Sequence, residues 1–344
     1  MDLLSKLEDG ALLSRPEAET VMEELLSGRM DTPAIVRLLL SLNLRPLTAH
    51  ELSGFARIMR KHAAPVFAPG DPKPANLVDT CGTGGDSSGT FNISTAAAIV
   101  AAAAGARVAK HGNRSVSSLC GSADVLEALG VYIDLPLRDA GQSIQDVGIG
   151  FLFAPAAHSA TRHAVPARKQ IGKRTVFNFL GPLTNPAGAE TQVVGVFSLE
   201  VLTLVAETLA ELGITRAFVV HGAGGLDEIS LSGETQIADV RGQSITYFSV
   251  SPSDFGMSPA PLEALRGGTP QENASVIRRI LQGELGPPHD IVVMNAAAAL
   301  VVTGIAKNFI DGAQLARGAI SSGAALAKLE QLVRFTSEHK LSGR

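Results

Sequence analysis

The stretch CGTGGDSSGTFNIS, residues 81–94, lies between the short apolar run Leu77-Val78-Asp79 and an alanine-rich segment ending at Ala104. Gly82, Gly84, Gly85 and Gly89 fall within it. Glycine loses more backbone freedom on folding than any other residue, so such a cluster marks a chain that turns sharply or approaches a ligand closely. The run before it reads as a strand, and Ser94 to Ala104 reads as a helix stopped at Gly105. Seven alanines between 96 and 104 suit a helix lying very close to its neighbour. The unit strand, glycine loop, helix sets the reading of everything after it.

The same rhythm continues. Arg107 to Ala109 predicts a strand, HGNRSVSSLCG a loop, and SADVLEAL a helix opening at Ser122. Ile149–Phe153, Gln192–Phe197 and Arg216–Val220 predict further strands, with helices over 155–171 and 199–212 between them. This alternation predicts an α/β domain, a mostly parallel central sheet flanked by helices. Residues 229–250 alternate in polarity and predict added antiparallel strands, and helices over 270–333 close the domain. Ahead of it, residues 1–66 read as helices only. Ser14-Arg15-Pro16-Glu17 and Thr48-Ala49-His50-Glu51 are capping boxes, and Asp31-Thr32-Pro33 opens a helix whose apolar face carries Leu38, Leu39, Leu40 and Leu42. The Pro-rich segment PVFAPGDPKPAN, residues 65–76, reads as a linker. The expected organisation is an N-terminal helical domain over 1–66 and an α/β domain over 76–335.

Composition narrows the function class. Of 344 residues, 45% are hydrophobic and 18% charged, the balance of a soluble globular protein. A net charge of −4 speaks against a broad nucleic-acid-binding surface. Cys81 and Cys120 are too few for a disulfide framework and read as free thiols. The N-terminus is interrupted by charges, unlike a signal or transit peptide, and the apolar run Ala96–Ala104 is far short of a bilayer span. The expectation is a cytoplasmic protein with neither nucleic acid nor membrane as partner.

Three loops follow strands directly and so gather at the carboxyl edge of a parallel sheet, where ligands bind. In the first, Gly82, Gly84 and Gly85 free backbone N–H groups to converge on an anion, and Thr90, Asn92, Ser94 and Thr95 add donors at a helix N-terminus. The plain alternative is a glycine-rich turn before an ordinary cap. It is neither a Walker A sequence nor a dinucleotide fingerprint, since Thr90-Phe91 follows Gly89 and Ser87 stands where a third glycine belongs. The second loop offers Lys110, His111, Asn113, Arg114 and several serines, a phosphate-type set. His111 either packs under this loop or touches a substrate. The third, HGAGGLDEIS, carries Asp227-Glu228. Adjacent carboxylates in extended chain diverge, which suits ligation of hydrated Mg²⁺ better than a close acid pair. No zinc-type Cys/His cluster and no Gly-x-Ser-x-Gly elbow is present. The residues alone point to an α/β enzyme handling a polyphosphate with Mg²⁺.

The motifs GTGGD (82–86), TFNIST (90–95), KHGNR (110–114), GSADVLE (121–127) and NFLGPLTNP (178–186) closely resemble the anthranilate phosphoribosyltransferase family, in order along the chain. The resemblance implies transfer of phosphoribose from 5-phosphoribosyl 1-pyrophosphate to anthranilate in tryptophan synthesis. It implies a homodimer through the helical domains, helices near 160–190 that help complete the helical domain, and two Mg²⁺ per monomer. Position by position it places Gly82, Gly85, Asp86, Thr90, Asn92, Ile93, Ser94, Thr95, Lys110, Ser118 and Ser122 around the phosphoribosyl donor. It places Ser94, Asp227 and Glu228 at the metal. Gly82, Asn113 and Arg168 fall at anthranilate, with His111, His158 and Pro182 beside them, and Lys110, Asn113 and Arg168 carry the catalytic role. Two other readings share this fold: a pyrimidine nucleoside phosphorylase, whose lysine loop differs and which has no use for Asp227-Glu228 as metal ligands, and a non-catalytic nucleic-acid-binding relative, which predicts a basic surface and eroded motifs.

Overall fold

Four helices open the chain: α1 (Leu3–Glu8), α2 (Arg15–Leu26), α3 (Thr32–Asn43) and α4 (Ala49–His62). The computed structural model describes residues 3–342 apart from 69, 72 and 116–118. The capping chemistry is where the sequence puts it. Glu17 accepts from the Ser14 N–H at 2.8 Å, Asp31 from Ala34 at 2.9 Å, and Thr48 and Glu51 cap each other reciprocally. The apolar faces of these helices meet in one core with Leu25, Leu39 and Phe55 at its centre.

The sheet follows in seven strands: β1 (Leu77–Asp79), β2 (Arg107–Gly112), β3 (Ile149–Phe153), β4 (Thr191–Gly195), β5 (Arg216–Gly222), β6 (Thr235–Arg241) and β7 (Ser244–Val250). Their order across the sheet is β3-β2-β1-β4-β5-β6-β7, the first five parallel and the last two antiparallel. Connecting them are α5 (Ile93–Ala103), then α6 (Ser122–Ala128) with α7 (Leu137–Asp146), then α8 (Ala154–Ala157), α9 (Val165–Ile171) and α10 (Phe177–Leu183), and last α11 (Leu199–Glu211). Four helices, α12 (Pro270–Leu281), α13 (Pro287–Val302), α14 (Phe309–Ser321) and α15 (Ala324–Ser342), end the chain.

Alternation along each strand divides the interior. Val78, Val108, Phe151, Val193 and Phe218 face a core shared with α5 and α12–α15, whereas Leu77, Ala109, Leu152, Val194 and Val219 face the opposite side. On that side α11, α9 and α10 merge with the core of the N-terminal helices. The alanines of α5 lie against sheet and α13 together, each side chain small enough for close approach.

Two expectations need correction. The segment 155–171 is not one helix. Pro155 and Pro166 each occupy the first turn of a separate short helix, because proline cannot supply an interior N–H, and His158 between them has φ −121° and ψ 52°. Strand β2 runs on to Gly112, so Lys110 and His111 are strand residues rather than loop residues. Successive strand side chains point to opposite faces, and that separation organises the site.

Candidate active site

The chain leaves β1 at the point where strand order reverses, between β1 and β4, and there the glycine stretch begins. Open parallel sheets bind ligands in the crevice at such a switch point. The stretch is stitched to β4 by Thr83, whose N–H donates to the Gly195 carbonyl at 2.9 Å. Gly84, Gly85 and Gly89 adopt φ of 67°, 81° and 67°, a left-handed backbone that favours glycine. On its outer side Thr90 bridges Arg266, the Phe91 N–H donates to Leu265, and Gly267 donates to the Gly89 carbonyl at 2.8 Å. Asn92 spends its carboxamide as a strut: Nδ2 donates to the Cys120 carbonyl at 3.2 Å and Oδ1 accepts from Asn273 at 3.0 Å.

Lys110 and Ser94 bring two elements together. Lys110 Nζ, buried at 3% exposure, donates to the carbonyl and hydroxyl of Thr80 at 3.3 and 3.2 Å and reaches the Ser94 hydroxyl at 3.5 Å. The Ser94 N–H, at the start of α5, donates to Glu228 Oε1 at 3.0 Å. A carboxylate thus stands at a helix N-terminus, the place that attracts anions. Asp227 lies beside it, its N–H within 3.4 Å of Asp86 Oδ2. Burial pushes Glu228 up to about 7 although Lys110 opposes it. Burial, then Asp86 and Glu228, push Asp227 well above the usual carboxylate range. Three carboxyl groups share this crevice with one ammonium, so the donor set suits a hard cation. Their looseness suits Mg²⁺, which retains waters and takes substrate phosphate oxygens. The tighter grouping of Asp79, Cys81 and His111, within 4.8 Å of one another, has Lys110 acting on all three and is poorly placed for a cation.

On the other face of β2 lies a second half-site. His111 Nδ1 pairs with the Gly181 carbonyl at 3.0 Å, and its ring meets His158 edge-on at 5.2 Å. Burial drives both imidazoles neutral, His111 down to about 3 and His158 to about 4. Each leaves a buried Nε2 without a partner among the described residues. Asp79, fully buried, accepts from the His111 N–H at 3.2 Å and from Asn185 Nδ2 at 2.8 Å, which locks β1, β2 and the turn after α10 together. Arg168, on α9, stacks over Phe177 at 5.1 Å, and no hydrogen bond or ion pair engages its guanidinium among the described residues. A half-buried cation with no anion of its own is ready for a carboxylate.

The structure therefore joins Ser94, Lys110, Asp86, Asp227 and Glu228, and separately His111, His158 and the Gly181-Pro182 end of α10. Ile93 and Thr95 are each 1% exposed, and the Thr95 hydroxyl has no hydrogen-bond partner among the described residues. Ser122 donates to the Asn113 carbonyl at 3.3 Å, tying the second loop to α6. Ser118 lies outside the described residues. Arg174 escapes sequence reasoning, yet it donates to the Gly85 carbonyl and packs over Phe197 at 4.4 Å. Its only local signal is its place just before FNFLGPLTNP. Arg266-Gly267 carries no signal at all, since the bridge to Thr90 joins segments far apart in sequence.

The fold recurs in known proteins. A family described as "Glycosyl transferase family, helical bundle domain" matches residues 1–63, and "Glycosyl transferase family, a/b domain" matches 74–326. The anthranilate phosphoribosyltransferase of Pelotomaculum thermopropionicum is 51% identical over 97% of this chain and 95% of its own length. The crystal structure of the enzyme so named from Thermus thermophilus superimposes with a TM-score of 0.91 at 46% identity, covering 98% of this chain and all of that one. The Saccharomyces cerevisiae enzyme, in complex with PRPP and Mg, gives 0.88 at 28% identity over 97% of both chains.

Proposed function

This chain belongs to the anthranilate phosphoribosyltransferase family, and from that premise we propose which residues carry its reaction. It is a pentosyltransferase of tryptophan biosynthesis. It moves the phosphoribosyl group of 5-phosphoribosyl 1-pyrophosphate onto the amine of anthranilate and releases pyrophosphate. The observation that carries the assignment of roles is the meeting of Lys110, Ser94 and Glu228 at the N-terminus of α5, on the glycine-lined crevice.

The amine of anthranilate is neutral at pH 7, so little base help is needed; the demanding event is loss of pyrophosphate from the anomeric carbon. Backbone N–H groups of 82–86 and the first turn of α5, with Lys110, take up charge growing on the leaving group. Ser94, Asp227 and Glu228 hold two Mg²⁺ per chain, which supply further charge neutralisation at the pyrophosphate. Asp86, Thr90, Asn92 and Ser122 complete the donor site. Arg168 binds the anthranilate carboxylate, with Gly82, Asn113, Pro182 and the two neutral histidines around the ring. Binding both partners in register supplies the rest of the rate.

The helical domain ends within the linker 65–76 and serves as the homodimer face, a role supported by exposed Leu40 and Leu44 on and just after α3. Cys81 and Cys120 form no disulfide, which fits a cytoplasmic setting, and no helix among the described residues is long and apolar enough to cross a membrane. Anthranilate fluorescence followed over time tests the reaction. It falls only with 5-phosphoribosyl 1-pyrophosphate and Mg²⁺ both present; a flat trace with phosphate-dependent nucleoside cleavage instead overturns the reading in favour of a phosphorylase.

A further inference from the structure

From Ile291 to Val302 helix α13 is apolar at every position but Asn295. Its side chain is 3% exposed, deep in a helix buried on all sides. A polar group in such a run costs stability unless every donor and acceptor is used. Asn295 uses them chiefly on one residue. Oδ1 accepts from the Ile229 N–H at 2.9 Å, and Nδ2 donates to the Ile229 carbonyl at 3.0 Å and to the Ile291 carbonyl at 2.9 Å. Ile229 directly follows Glu228, and residues 229–234 belong to no strand. The carboxamide therefore does for this segment what a ladder partner does elsewhere.

Two glycines close the other sides. A Cβ at Gly195 would overlap the Asp227 carbonyl oxygen, and one at Gly222 would come within 2.5 Å of the Glu228 carbonyl. The acidic segment is thus pressed onto β4 and β5 from one direction and clamped by α13 from another. We propose that Asn295 is a positioning residue for the divalent cation: by fixing the Ile229 backbone it holds Asp227 and Glu228 where they converge with Ser94. The inference rests on the reading of Asp227 and Glu228 as the metal pair. A purely architectural asparagine would stabilise α13 against the sheet and leave metal affinity alone.

Mn²⁺ binding to the full-length chain in the presence of 5-phosphoribosyl 1-pyrophosphate, read by electron paramagnetic resonance of the free ion, separates these. Asn295→Ala is expected to weaken Mn²⁺ binding about tenfold, the size seen when support behind metal ligands is removed. Asn295→Ser, which keeps one hydroxyl for the same backbone, should fall between. The KM for anthranilate should shift less than about twofold, and the rise in Tm on adding Mg²⁺ should shrink. Val292→Ala, a cavity in the same helix, should lower Tm with Mn²⁺ affinity intact. Wild-type affinity in Asn295→Ala and Asn295→Ser, alongside lost binding in Asp227→Asn/Glu228→Gln, overturns the positioning role alone. Wild-type affinity in the carboxylate double variant as well overturns the metal reading beneath it.

Discussion

Under the proposed assignment, Arg168 is the side chain that divides the two substrates. Its guanidinium has no internal anion among the described residues, and burial lowers its pKa, so a bound carboxylate relieves an unfavourable state of the free enzyme. Arg168→Ala should raise the KM for anthranilate by about tenfold or more, about 1.4 kcal/mol for each factor of ten, and leave that for the phosphoribosyl donor within about twofold; equal effects in steady-state kinetics would remove the carboxylate role. The histidines make a separate, pH-dependent prediction. His111 and His158 titrate at about 3 and 4 in the folded chain, both below the ordinary 6.5 because burial disfavours the cation. As pH falls the unfolded chain takes up the proton first, so their contribution is complete above 6.5 and is lost as pH falls to about 4 for His158 and about 3 for His111. At a pH of about 5.5 each accounts for about 1 kcal/mol. In melts from about pH 7.5 to about pH 5, His158→Gln should lose less Tm than wild type. Parallel curves would show that the ring is not held neutral.

Among the elements, the bridge between 265–267 and the glycine stretch is the least expected, and it fixes the backbone of residues 89–91. A Cβ at Gly267 would fall 2.7 Å from the Phe91 nitrogen and the Thr90 carbonyl. Gly267→Ala should therefore shift Thr90–Asn92 and raise the KM for the phosphoribosyl donor several-fold, with anthranilate little affected; unchanged donor kinetics would show the loop is not supported there. In the helical domain Glu51 plays the comparable part. It is fully buried, accepts from Leu13, Thr48 and Arg45, and is held below the usual carboxylate range by those bonds against the cost of burial. Glu51→Ala strands Arg45 and should cost about 3 kcal/mol in denaturant unfolding, whereas a loss under about 1 kcal/mol would mean that water replaces the carboxylate. These elements also mark what sequence can and cannot give. Capping boxes and strand–loop–helix rhythm are local patterns, so most of the helices, the parallel sheet and the loop carrying Asp227-Glu228 are legible, whereas the end of β2, which holds Lys110 and His111, is not. Asn295, Gly267 and the Asp79–Asn185 tie each act between segments far apart along the chain, and no local period encodes such a partner. The broken helix over 155–171 is readable from Pro155 and Pro166, whose spacing fits two first turns rather than one continuous helix.

At the scale of the whole molecule, the residues joined in the crevice, Ser94, Asp86, Lys110, Asp227 and Glu228, all come from one chain. Association through the helical domain should consequently be separable from chemistry. The candidate face is α3 and its C-terminal cap, where Leu44 is 82% and Leu40 46% exposed although the same helix buries Leu38, Leu39 and Leu42. Exposed leucines beside a well-packed stripe are the residues that a symmetric partner would cover. Leu40→Glu/Leu44→Glu places like charges on both sides of such a two-fold contact. Sedimentation velocity should give a dimer mass for wild type and the single chain for the double variant, with Tm lowered and turnover per chain within about twofold, as expected when the lost term is association alone. A variant that stays dimeric would move the interface to another face. One that becomes monomeric and inactive with its Tm intact would mean that the partner orders part of the site, most directly through α9 and Arg168, since α9 packs against α3.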